Sequence, residues 1–210
     1  MLSLPKTIYF NFKYLPFEQA RKLPIFVSHR VWLMQMAGSI HLEGSIHRGM
    51  ITIGFGRVGI FDRHKSRTIW QVAGRVVFKG RARIGHGSKL SVSGNIIMGD
   101  GFTISAESTL VATTKVEIGR GVLFSWDILL ADTDFHAIND EVGNRINENA
   151  PIIISDKVWI GCRSMILKGS RIPAGVIVAA GTTITSSTVF EENAIVGGNP
   201  VKVLKKNVSW

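Results

Sequence analysis

The stretch ISDKVWIGCRSMILKGSRIPAGVIVAAGTTITSSTVFEENAIVGGNP, Ile154 to Pro200, decides the fold. Stepping by six from its first residue gives Ile154, Ile160, Ile166, Ile172, Val178, Ile184, Phe190 and Val196, every one apolar. Four residues after each comes Val158, Ser164, Ser170, Val176, Thr182, Thr188, Ala194 and Pro200, a column of small or β-branched residues. Side chains on a strand alternate between faces, so both columns point the same way and the residues between them point outward. Six residues make one short strand and a corner. Gly161, Gly169, Gly175, Gly181, Asn193 and Gly197 recur between the apolar steps as corner residues. A chain that turns every six residues and buries one column closes as a three-sided prism, about 18 residues per coil with coils about 4.8 Å apart. The expected fold is all-β, a parallel β-helix.

Upstream the same period holds with slips. Val72, Phe78, Ile84 and Leu90 share one register; Val92, Met98, Ile104, Leu110 and Val116 a second; Ile118, Phe124 and Leu130 a third. Each slip is of two residues, as a corner with a small bulge would give. Ile40 and Ile46 read as earlier coils, while Gly54 to Arg67 carries no clear phase. Between Leu130 and Ile154 the count of six survives, yet the in-phase residues are His136, Val142 and Glu148. Residues 131–151 therefore read as a loop expelled from the prism, with asparagines, acids and Gly143 in place of a buried column. The expected organisation is a cap segment at 1–38, the β-helix at 39–203 with the loop 131–151, and a tail at 204–210.

The chain has 210 residues, of which 45% are hydrophobic, enough for one domain with a substantial core. A single cysteine, Cys162, allows no internal disulfide and favours a reducing compartment. There is no run of 18 apolar residues and no signal-peptide pattern, so a cytoplasmic location is expected. The net charge of +10 is unevenly spread: residues 101–150 hold eight acids against three bases, and every other segment is basic. Arg75, Lys79, Arg81 and Arg83 stand on strands without interleaved exposed aromatics, and no nucleic-acid motif occurs, so nucleic acid is not an expected partner. An anionic cofactor, an acidic polysaccharide or an anionic membrane surface suits the charge better. Residues 1–35 alternate aromatics with cations and contain Pro5, Pro16 and Pro24, which rules out one long helix. They are expected to cap the open first coil, with peripheral contact at an anionic inner membrane as the alternative.

Four motifs in order, DTDFHAI (Asp132 to Ile138), VWIGC (Val158 to Cys162), IVAAGT (Ile177 to Thr182) and GGNPVKVLKK (Gly197 to Lys206), resemble the hexapeptide-repeat acyltransferases. The nearest likeness is to the O-acetyltransferases that decorate bacterial capsular polysaccharide, exopolysaccharide and lipopolysaccharide. The resemblance implies a left-handed coil, which the period alone does not, since parallel crossovers are nearly always right-handed. It also implies acetyl-CoA as co-substrate, no metal, a carbohydrate acceptor, and a homotrimer with active sites between subunits.

Moving an acetyl group from a thioester to an alcohol needs a base for the hydroxyl proton, and histidine titrates near neutrality. The resemblance places that role on His136. Asp132 and Asp134 are expected to orient its imidazole or raise its pKa, and Asp132 also to stand with the acceptor. Trp159 should face outward beside the acetyl group, and Trp126, on the coil before the loop, should face outward and stack on a sugar. For coenzyme A the resemblance implies Cys162 and Ala180 near the pantetheine, Thr185 and Ser186 along its arm, and Lys202 and Lys205 at the adenosine phosphates, where lysines act as point charges. An acetyltransferase acting on a small molecule on the same scaffold remains open. A γ-carbonic-anhydrase-like metal site lacks ligands, because His136 is the only histidine after His86. A non-catalytic scaffold would lack the base, tryptophan and lysines together.

Overall fold

The computed structural model describes residues 2–62 and 65–210. Its strands form three sheets, the faces of a prism. The first face stacks Ile25–Val27, Ile51–Phe55, Ala82–Gly85, Phe102–Ala106, Leu123–Trp126, Trp159–Ile160, Ile177–Val178 and Ile195–Gly197. The second stacks Trp32–Met36, Ile69–Val72, Lys89–Val92, Thr109–Ala112, Leu129–Ala131, Met165–Leu167 and Thr183–Ile184. The third stacks Ser39–Leu42, Arg75–Phe78, Asn95–Met98, Lys115–Ile118, Ile152–Ile154 and Arg171–Ile172. Every pairing among these is parallel; only Lys202–Lys205, added beyond Ile195–Gly197 on the first face, runs antiparallel.

All eight members of the apolar column from Ile154 to Val196 are buried, as are the upstream residues of all three registers. The second column is buried from Val158 to Ala194 except for half-buried Thr188, and fails at exposed Pro200. The two-residue slips have one location. Ile84, Ile104 and Phe124 stack twenty residues apart, whereas Ile160, Val178 and Val196 stack eighteen apart. The two additional residues of the longer coils lie at the corner between the second and third faces, at Ala73–Gly74, Ser93–Gly94 and Thr113–Thr114. A Cβ on Gly74 would stand 2.0 Å from the Gly94 carbonyl oxygen, so this corner admits no side chain there. The corner between the first and second faces repeats a left-handed residue whatever its type: Gly87, Glu107, Asp127, Arg163 and Gly181 all have φ between 52° and 70°.

The β-helix begins earlier than expected. Ile25–Val27 already pairs with Ile51–Ile53, so the first coil starts at Ile25 and not at residue 39. The period hides this because, among the described residues, no strand follows Phe55 in the second coil until Ile69. The cap proper is a helix, Leu4–Tyr14, followed by the short helix Phe17–Ala20. Pro5 falls in the first turn, where its missing N–H costs nothing, and Pro16 lies between the two helices. Thr7 and Asn11 are one helical turn apart and occupy the free edge of the first strand. Val27 N–H donates to Thr7 Oγ1 (3.0 Å) and Thr7 Oγ1 donates to the Val27 carbonyl (3.2 Å). Ile25 N–H donates to Asn11 Oδ1 (3.1 Å) and Asn11 Nδ2 donates to the Ile25 carbonyl (2.7 Å). Phe10 packs edge-on against the fully buried Trp70, whose Nε1–H donates to Tyr14 Oη at 2.9 Å. Among the described residues no helix is long and apolar enough to cross a membrane.

Candidate active site

The chain leaves the prism after Ala131, at the second–third corner, and rejoins it at Ile152. This is the corner that is longer in every preceding coil and shorter in every following one. Asp132 sets the departure. It is fully buried, and its carboxylate accepts the backbone N–H groups of Thr113 (2.7 Å), Thr114 (2.7 Å) and Lys115 (2.9 Å) on the coil below. With three backbone donors on it and no exposed surface, the Asp132 carboxylate holds the corner, and the expected substrate contact gives way to a structural one.

The loop is knit around Asn147. Its Nδ2 donates to Asp134 Oδ2 (2.9 Å) and to the His136 carbonyl (2.8 Å), and its Oδ1 accepts Ile138 N–H (2.7 Å). Lys168, from the next coil, donates to Asp134 Oδ2 at 2.6 Å and to the Asn147 and Glu148 carbonyls at 3.0 Å each. Beyond Ile138 the chain doubles back, with Asn139 bridging Arg145 and Asp140 accepting the N–H groups of Val142 and Asn144. These donors hold the Asp140 carboxyl below the usual carboxylate range. The Lys168 ammonium and the Asn147 amide do the same for Asp134.

His136 is exposed, and its main chain is fixed on both sides: N–H to the Asp134 carbonyl (2.8 Å), carbonyl to Asn147. Its imidazole makes no hydrogen bond to any described residue. The expected partner, Asp134, is two residues away but turns its carboxylate to Lys168 and Asn147, so it does not orient the ring. Asn147 and Lys168 carry the positioning instead. Neither shows in the period, because one lies inside the aperiodic loop and the other is an ordinary outward lysine at a corner.

The remaining expected residues fall into three groups. Trp126, Cys162 and Ala180 lie on successive coils at the first–second corner, where Arg163 N–H donates to the Trp126 carbonyl and Gly181 N–H to the Cys162 carbonyl. Trp126 and Cys162 are half-buried and Ala180 is exposed. Trp159 is outward on the first face, donates from Nε1 to Ser125 Oγ at 3.0 Å, and lies 5.8 Å from the ring of Trp210. Thr185 lines a hollow of about 390 Å³ with Thr183, Ser187, Thr188, Asn199 and Pro200, and Ser186 stands over Gly169 at the loop's own corner. Lys202 and Lys205 are exposed on the antiparallel strand and pair with no described acid, whereas Lys206 meets Glu191 at 3.0 Å. One chain therefore does not gather the set. The loop of His136 leaves from one edge of the second face, and Trp126, Cys162 and Ala180 line the other edge, with three-residue strands, about 10 Å, between the two edges.

Fold and loop together define a hexapeptide-repeat β-helix similar to sugar O-acetyltransferases. The chain is 30% identical over 125 residues to the polysialic acid O-acetyltransferase of Escherichia coli O1:K1 / APEC, a match covering 59% of this chain and 38% of that protein. It is 27% identical over 113 residues to the galactoside O-acetyltransferase of Lactococcus lactis subsp. lactis (strain IL1403), covering 53% of each. The matches thus span about half or less of these relatives. Among solved structures, the polysialic-acid-specific acetyltransferase NeuO superposes with a TM-score of 0.53 at 24% identity, covering 88% of this chain and 73% of that one. That likeness gives the coil its left hand. No protein-family profile matches the chain.

Proposed function

We propose that this chain transfers an acetyl group from acetyl-CoA to a sugar hydroxyl of a bacterial surface polysaccharide or its precursor, with His136 as general base. The observation that carries the reading is the state of His136: a clamped backbone, an exposed ring, and the carboxylates of Asp132, Asp134 and Asp140 engaged elsewhere. The ring nitrogen is thus open to an incoming alcohol. In the reaction the hydroxyl proton passes to the imidazole as the oxygen attacks the thioester carbon. The tetrahedral adduct then breaks its C–S bond, and the imidazolium returns the proton to the departing thiolate. The column of Trp126, Cys162 and Ala180 offers the pantetheine a narrow track, and Lys202 and Lys205 offer unpaired cations to phosphate.

Because base and track sit at opposite edges of one face, the reading places the working site between two copies, in a homotrimer that sets one chain's loop against its neighbour's corner. The location that follows is the cytoplasm, where acetyl-CoA is made. The galactoside enzyme among the relatives favours a second acceptor, a small sugar. Thiol release from acetyl-CoA in the presence of purified surface polysaccharide, set against free galactosides, separates the two. In either case His136→Ala should fold and bind coenzyme A but lose transfer by a factor on the order of 100 or more. Undiminished turnover in that variant would refute the mechanism.

A further inference from the structure

The cap helix is apolar on the side that covers nothing. At 100° per residue, Thr7, Phe10, Asn11 and Tyr14 cluster on the side turned to the prism, all buried or half-buried. The opposite arc, about 140° wide, holds Leu4, Pro5, Ile8, Tyr9 and Phe12, every one exposed. A helix on a globular surface ordinarily turns polar residues to water; this one turns none across that arc. Phe17, 65% exposed, extends the patch by packing on Phe12 at 6.0 Å, and Leu2, 78% exposed, extends it at the other end. Such a contiguous apolar surface marks an interaction site.

Its position and charge select the occupant. Thr7 and Asn11 bond the free edge of the first strand, and strand edges in a β-helix face along the axis, so the opposite arc faces away along that axis, at the prism's tip. Residues 1–35 hold five lysines and arginines against one acid, Glu18. Glu18 is already bonded to Arg21 at 2.8 Å, while Lys13, at the border of the arc, and Lys22 are exposed and pair with no described acid. Leucine, isoleucine and aromatic side chains rimmed by unpaired lysines are the composition of a helix lying in a bilayer interface. The helix has 11 residues, about 16 Å, too short to span.

We infer that the chain docks tip-first on an anionic lipid bilayer through the outer face of Leu4–Tyr14, with the prism axis standing off the membrane. The docking is independent of acetyl transfer, so its test needs no turnover. The full chain should float with phosphatidylcholine vesicles containing phosphatidylglycerol, on the order of tenfold more than with phosphatidylcholine alone, and the difference should shrink with added salt. The double variant Ile8→Ser, Phe12→Ser alters only exposed side chains and should abolish flotation with an unchanged circular dichroism spectrum. Lys13→Glu, Lys22→Glu should abolish the preference for anionic vesicles while leaving the apolar face intact. Absence of flotation with either vesicle overturns the inference. So does a solution mass that halves in the Ile8, Phe12 variant, which would assign the face to a second copy of the tip.

Discussion

Asp132 and Asp134 flank one residue and do different work. The first, itself fully buried, accepts three backbone N–H groups from the coil below. Asp132→Ala strands those donors and should cost about 2–4 kcal/mol, read as a lower urea midpoint, with the loop more open to protease. The second is an exposed clamp whose pKa is lowered by Lys168 and Asn147. A carboxyl held below its unfolded value anchors the loop at every pH above the ordinary carboxylate range, and releases it as pH falls through the depressed folded value. The protection factor of the Ile138 amide, which Asn147 holds, should therefore be flat through neutrality and fall only below about pH 4, and Asp134→Asn should remove that acid step. The sequence set His136 in the loop correctly, since the apolar column fails there. It could not tell these two acids apart, because the partners that distinguish them lie on the coils below and above.

At the level of the element, the cap helix acts as an extra rung made of side chains. Asn11→Leu keeps the branched shape but leaves the N–H and C=O of the buried Ile25 unmatched, an expected loss of about 2–5 kcal/mol in chemical denaturation. Trp210 lies against Trp159 and is held by its Nε1–H on the Lys157 carbonyl at 3.0 Å. Trp210→Ala should raise acrylamide quenching of Trp159 and red-shift its emission. Pro5 and Pro16 make the broken helix of the first twenty residues legible, but not the end of the cap, since the expected segment runs on past Ile25 into the first coil. The strand at Ile25–Val27 was not legible, because its pairing partner follows an irregular connection and only three residues carry the pattern.

For the whole molecule, the six-residue period conveyed nearly all of the prism, and its two-residue slips mark the longer coils. What it could not convey was which corner held the additional residues, since a slip has the same count wherever in the coil it occurs. Nor could it show that the loop of His136 and the corner of Trp126, Cys162 and Ala180 lie at different edges of a face, which only the stacking reveals. That separation makes a prediction about assembly. Light scattering should give three times the mass of one chain. Inactive His136→Ala mixed with an inactive Ala180→Trp by denaturation and refolding should recover activity, because some interfaces then join an intact loop to an intact track. No recovery would mean that each chain works with its own residues. The capped first rung has a consequence of its own. With Thr7 and Asn11 filling the places where another backbone would bond, the column cannot lengthen by recruiting strands at that rim, and the protein is protected there from fibrous growth.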